Sequence, residues 1–203
     1  MTATRPMARH RLSPPDQAAL FEVASDQAGY FTAPQARACG FSWALLWYHV
    51  KAGRFVRVRQ GLYRFRDFPS SPREHVLAAW LSVGKDTAVV SHGSALELLA
   101  LSDVIPGAVH LTVPRTKRGL PSVPGVTIHT TTKPLESTDR VVRDGMVVTS
   151  ATRSILDAGA VGTAPEQIEM AVAQAVERGQ VMPEQLRARA DQRGRRVAAF
   201  SRP

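Results

Sequence analysis

Trp47, Tyr48 and Lys51 stand at helical spacing, and Arg54, Arg57 and Arg59 follow closely after them. Aromatic rings can pack on bases and sugars, and ammonium and guanidinium groups neutralise phosphates. On a helix and the strand after it, such a set can enter a groove and hold the backbone beside it. A second set of polar residues lies further on. It comprises His92 and Ser94 in the stretch Ser91-His92-Gly93-Ser94, and the basic run Arg115, Lys117 and Arg118. These suit contact with a protein partner or an anion.

The elements that must position the first set are legible. Residues 31–65 read as a short helix, a tight turn through Gly40, a second helix opening at the N-cap residue Ser42, and a basic hairpin. That order is a helix-turn-helix with a wing. On the second helix, Leu46, Val50 and Gly53 share the inward side with His49 and Trp43 beside them, and Trp43 is expected in the core. Ala44, Tyr48 and Lys51 face outward, with Trp47 on the flank. Strand alternation puts Arg57 and Arg59 on one face of the wing and Val56 and Val58 on the other. A preceding helix is expected from Asp16 to about Gln27.

The cluster Asp67-Phe68-Pro69-Ser70-Ser71-Pro72 marks a boundary. Beyond it helices and strands alternate, which implies a mixed α/β domain ending in helices. Helices are expected over 73–83, 94–101 and 151–158, with Ser94 and Glu97 as a capping box. Strands are expected at 88–91, 109–113 and 126–130. Asp144-Gly145 should turn a hairpin between residues 141 and 148. Thr163 should cap a helix opening with Pro165, and Gly179 should end it. The resulting division is residues 1–14 as a flexible N-terminus, 15–68 as the winged module, 69–190 as the α/β domain and 191–203 as a basic tail.

The chain has 203 residues, 44% hydrophobic and 21% charged, with a net charge of +9. Residues 1–68 carry ten Lys/Arg against four Asp/Glu, and residues 187–203 carry six against one. The intervening 69–186 carry ten against twelve, a slight negative balance. Basicity is thus concentrated at the ends, one of which holds the helix-turn-helix. The single cysteine, Cys39, rules out an internal disulfide and a cysteine-based zinc cluster. The N-terminal stretch lacks the apolar core of a signal peptide, and no run is long enough to span a membrane. Both features point to the cytoplasm, with no membrane partner.

No cofactor is expected. Neither G-x-x-x-x-G-K-[ST] nor G-x-G-x-x-G occurs, and Ser91-His92-Gly93-Ser94 is not the G-x-S-x-G elbow of a hydrolase. No Asp or Glu is followed two residues later by Lys, as one common nuclease site requires. His92, His110 and His129 fall on separate elements without metal-ligand spacing and are expected to be structural. No metal site and no catalytic residue are assigned.

The winged module with Arg59-Gln60-Gly61-Leu62-Tyr63 in its hairpin, SHGSALELLAL, HLTVPRTKRG and DGMVVTSATRSILDAGA together resemble the AbiEi antitoxins of type IV toxin–antitoxin systems. The resemblance runs from Asp16 to about Ala190, in the family's order. One departure is Ala151, where the pattern has proline. The resemblance implies a cytoplasmic antitoxin made beside a nucleotidyltransferase-like toxin. Its N-terminal module would bind inverted repeats in promoter DNA and repress the operon, and its C-terminal domain would carry neutralisation. It places DNA contact on Trp47, Tyr48, Lys51, Arg57 and Arg59, and makes His92, Ser94, Arg115, Arg153 and Asp157 the matching polar positions of the second domain. Arg153 and Asp157, four apart on a helix, can equally pair with each other. Two other readings stand beside this one: a kinase-like enzyme that inactivates the toxin covalently, and a regulator that senses a small ligand.

Overall fold

The structure is a computed structural model that describes residues 14–200, with side chains described through residue 192. The expectations for residues 1–13 and 201–203 lie outside it. The chain forms two units, one ending at Pro72 and one beginning at Arg73.

The first unit is a winged helix-turn-helix. Helix α1 (Gln17–Ser25) is capped by Asp16, whose carboxylate accepts from the Ala19 amide at 2.9 Å. Strand β1 (Tyr30–Thr32) leads into α2 (Ala33–Ala38). There Thr32 and Gln35 close a capping box, the Thr32 amide donating to Gln35 Oε1 at 2.8 Å. Gly40, with φ +84°, makes the turn. Helix α3 (Trp43–Lys51) starts at Ser42, whose Oγ accepts from the Leu45 amide at 3.2 Å. Strands β2 (Phe55–Arg59) and β3 (Leu62–Phe65) form the wing, and β1 joins them in the antiparallel order β1-β3-β2.

An aromatic core holds this unit. Phe31 meets Phe55 edge-on at 4.9 Å and stacks on Tyr63 at 5.7 Å, with Leu20, Phe41 and Leu46 packed in the same cluster. Gly29, at φ +83°, sits so close to the Phe68 ring that any Cβ would overlap it.

The second unit is built on a five-stranded mixed sheet in the order β6-β5-β4-β8-β7. Its elements are α4 (Glu74–Val83), β4 (Val89–Val90), α5 (His92–Leu98), β5 (Val109–Pro114), β6 (Val126–Thr131), β7 (Arg140–Arg143), β8 (Met146–Thr149), α6 (Ala151–Ala160), α7 (Pro165–Glu177) and α8 (Pro183–Phe200). β5 and β6 run parallel, as do β4 and β8. Residues 76–81 of α4 are all buried, and the Trp80 indole donates to the Ala88 carbonyl at 2.7 Å. The Asp144-Gly145 turn has φ of +49° and +74°, the two positive values a type I′ hairpin needs.

Two helix starts differ from expectation. α5 begins at His92, two residues early, so Ser94 caps nothing: its Oγ accepts from the His110 amide at 3.0 Å. α7 begins at Pro165 with Ala164 as N-cap and no side-chain cap, while the Thr163 amide donates to the Ala158 carbonyl and closes α6. Gly179, at φ +65°, does end α7. α8 opens at Pro183, where a last helix leading into the basic tail was expected, and continues to Phe200.

Candidate nucleic-acid interface and histidine cluster

α3 presents an uncovered aromatic surface. Trp43, Trp47 and Tyr48 are 55%, 64% and 54% exposed. This corrects the expected core position of Trp43. The buried arc of α3 is centred between Leu46 and His49, with Leu45 rather than Trp43 on its flank. Trp43, Trp47 and Lys51 therefore form one i, i+4, i+8 ridge pointing outward. Lys51 Nζ lies 5.4 Å from the Trp47 ring and the Arg37 guanidinium 5.9 Å from Trp43, so cations sit over both indoles. His49, by contrast, is buried against Phe41 and Phe55, and burial, then Arg54, lowers its pKa.

The wing also differs from simple alternation. Arg57 stands opposite Tyr63 but Arg59 opposite Leu62, with a bulge between them. Directly opposed residues share a face, and Tyr63 and Leu62 are consecutive, so Arg57 and Arg59 lie on opposite faces. The inward residue of β2 is Phe55, and Val56 and Val58 remain partly exposed. Arg54 and Arg57 are exposed; Arg59 is half-buried, its Nη1 shielded from solvent. Arg64 donates to the Phe68 and Pro69 carbonyls and Arg66 to the Gly53 carbonyl, which ties both to the module itself.

In the second unit the expected polar surface around His92 and Ser94 is buried. The reason is that α5 is enclosed along nearly its whole length. Arg153 is likewise committed: its Nε donates to Asp157 Oδ2 at 2.7 Å, and Nη1 lies 3.8 Å from Asp139. Asp139 in turn takes Arg189 at 2.9 Å. Arg115, Lys117 and Arg118 remain exposed on a 3₁₀ turn after β5. Lys117 also edges a cleft of about 530 Å³ that Lys85, Asp86 and Arg140 help to line.

What sequence reasoning missed is that His92, His110 and His129 converge. Register explains two of them: His110 pairs with Thr127 and Thr112 with His129, so both rings stand on one face of β5 and β6 as diagonal neighbours. His110 Nδ1 lies 2.9 Å from His129 Nε2. His92 comes from the sharp strand-to-helix turn after β4, at φ +55°. Its ring stacks on that of His129 with centroids 3.6 Å apart. Ser91 fixes it from behind, Oγ lying 2.9 Å from His92 Nδ1 and accepting from Thr112 Oγ1 at 2.8 Å. The available signal was histidine recurring on two strands and at a strand end; the strand order that joins them was not readable.

Burial lowers the pKa of all three histidines, to about 4 for His92, where the neighbouring His129 adds to the effect. The unfolded chain, with histidines near 6.5, therefore binds more protons than the folded one. Stability from this cluster is complete above about pH 6.5 and declines as the pH falls towards about 4. The urea midpoint of the second unit in chelator should fall on going from about pH 7 to about pH 5, and less so in His110→Gln/His129→Gln protein. An equal fall in both proteins would assign the acid sensitivity to other groups.

The three-helix module, its wing and the outward aromatic ridge define a winged helix-turn-helix protein with an α/β domain following. Residues 18–66 match the AbiEi_4 family, described as a transcriptional regulator and AbiEi antitoxin. This stretch is an AbiEi-type transcriptional-regulator domain. The match does not extend into the second unit. No curated protein matches the chain. Among the described residues no helix is long and apolar enough to cross a membrane.

Proposed function

We propose that the chain is a cytoplasmic antitoxin of a type IV toxin–antitoxin system, which represses its own operon and neutralises a cognate nucleotidyltransferase-like toxin. The AbiEi-type domain over residues 18–66 carries this reading. Inverted repeats in promoter duplex DNA are the target of the first unit. α3 enters the major groove, Trp47 and Tyr48 pack on base edges and sugars, and Lys51 meets phosphate. Arg54 and Arg57 hold the flanking backbone, and half-buried Arg59 acts from the opposite face of the wing. In the second unit the exposed run Arg115, Lys117 and Arg118 is offered to the toxin. His92, Ser94 and Arg153 are committed internally and support the fold of the second unit without themselves meeting the partner.

Two assays test the proposal. The purified chain should retard a duplex carrying its own promoter in preference to scrambled duplex, and its co-expression with the adjacent toxin gene should restore growth. Equal affinity for both duplexes would remove the repressor role. A toxin that is silenced only with ATP present, and that gains a phosphate, would replace neutralisation by binding with neutralisation by covalent modification.

A further inference from the structure

We propose that His92, His110 and His129 bind a zinc ion. One ring nitrogen from each lies within 4.8 Å of the others, and His110 Nδ1 stands 2.9 Å from His129 Nε2. A tetrahedral zinc with Zn–N bonds of about 2.0–2.1 Å sets nitrogen–nitrogen separations of roughly 3.3 Å, inside this range. The His92 and His129 rings, stacked with centroids 3.6 Å apart, have to fan apart by side-chain rotation for both nitrogens to meet one ion.

The surroundings are those of a built site. The three ligands come from three elements locked to one another: the Ser91 amide donates to the His110 carbonyl, and the His110 amide donates to Ser94 Oγ. His92 is held at a positive φ of +55°, which a non-glycine residue keeps only where its surroundings enforce it. That conformation aims the ring at the other two. His92 Nδ1 lies 2.9 Å from Ser91 Oγ; in the tautomer whose Nδ1–H donates there, His92 Nε2 carries the lone pair, and a hydrogen bond at the far nitrogen is what orients metal-binding histidines generally.

Imidazole nitrogens suit zinc, and three such ligands leave a fourth position for water. His110 and His129 are only half-buried, which gives an ion a way in. The buried carboxylate of Asp157 favours positive charge at both His92 and His129, and the Arg153 guanidinium that holds it at 2.7 Å opposes it at His92. The ion would fasten the start of α5 to β5 and β6, stabilising the second unit in proportion to the free metal.

The test uses the untagged full-length chain, stripped with EDTA and titrated with Zn²⁺ against a chromophoric chelator. One ion per chain should bind, the melting temperature should rise with zinc, and Co²⁺ should give the visible bands of a tetrahedral nitrogen-rich site. His129→Gln and His110→Gln should each weaken binding by about a hundredfold or more, beyond what changing a residue behind the ligands typically does, and abolish the thermal shift. Exposed His75→Gln should change nothing. Far-UV circular dichroism checks that each variant folds, and His110→Gln serves if His129→Gln does not. Absence of saturable uptake by the wild-type chain, or uptake unchanged in a folded His110→Gln or His129→Gln protein, overturns the assignment.

Discussion

Trp47→Ala combined with Tyr48→Ala should cost between roughly a hundredfold and a thousandfold in affinity for promoter DNA while leaving the module folded. Both rings stand more than half exposed on α3, with Lys51 over Trp47 and the His49 ring edge-on to Tyr48. Truncating an exposed side chain usually changes stability by no more than about 0.5 kcal/mol. An aromatic anchor that becomes buried at an interface is worth about 2 kcal/mol, so two approach three orders of magnitude. Fluorescence anisotropy at fixed salt measures the weakening. The salt dependence separates rings from cations: the aromatic pair should leave the slope of log affinity against log salt unchanged. Arg54→Ala with Arg57→Ala should reduce that slope by up to about 0.9 for each phosphate no longer neutralised. Affinity unchanged in the aromatic variant would take α3 out of the interface.

Phe31→Ala should unfold most of the first unit. The ring is fully buried and touches Phe55, Tyr63 and Phe65 with centroids 4.9–5.7 Å apart. Phe→Ala changes in cores cost about 3–5 kcal/mol. At about 0.05–0.15 kcal/mol per residue, a module this small holds only a few kcal/mol in total. Hydrogen exchange at the amides of α3 and β3 should therefore rise to near unfolded rates, and DNA binding should fail with it. Phe21→Ala, which removes a half-exposed ring packed edge-on against Phe65 at 5.4 Å, is the milder comparison and should retain protection. Native protection in Phe31→Ala protein would mean that the core repacks around the gap.

Much of the first unit was legible because its signals are local. Asp16 and Ser42 accept from amides three residues on, and Gly40 supplies a backbone conformation that side chains resist. The Asp144-Gly145 turn of the second unit belongs to the same class. Each depends on atoms within four residues of one another, so residue type and spacing suffice. Errors began where a fraction of a turn or one residue of register mattered. Trp43 lies at the edge of the buried arc, and only the packing of Leu45 against the core decides that the indole points outward. A single bulge after Arg57 sends Arg59 to the other face of the wing.

By itself the sequence determined the helix-turn-helix with its basic wing and the mixed helices and strands after it, and it offered Trp47, Tyr48, Lys51 and the wing arginines as candidates to meet DNA. Tertiary structure alone decided that Ser94 and His92 are buried, that Arg153 meets Asp139 beyond its helical partner Asp157, and that three histidines meet. His92, His110 and His129 sit on α5, β5 and β6, and their meeting depends on β5 and β6 pairing in parallel with His129 opposite Thr112. No residue near any of the three encodes that register. It is set by which strand faces bury together, a property of the whole sheet, and a slip of one residue would turn His129 to the opposite side.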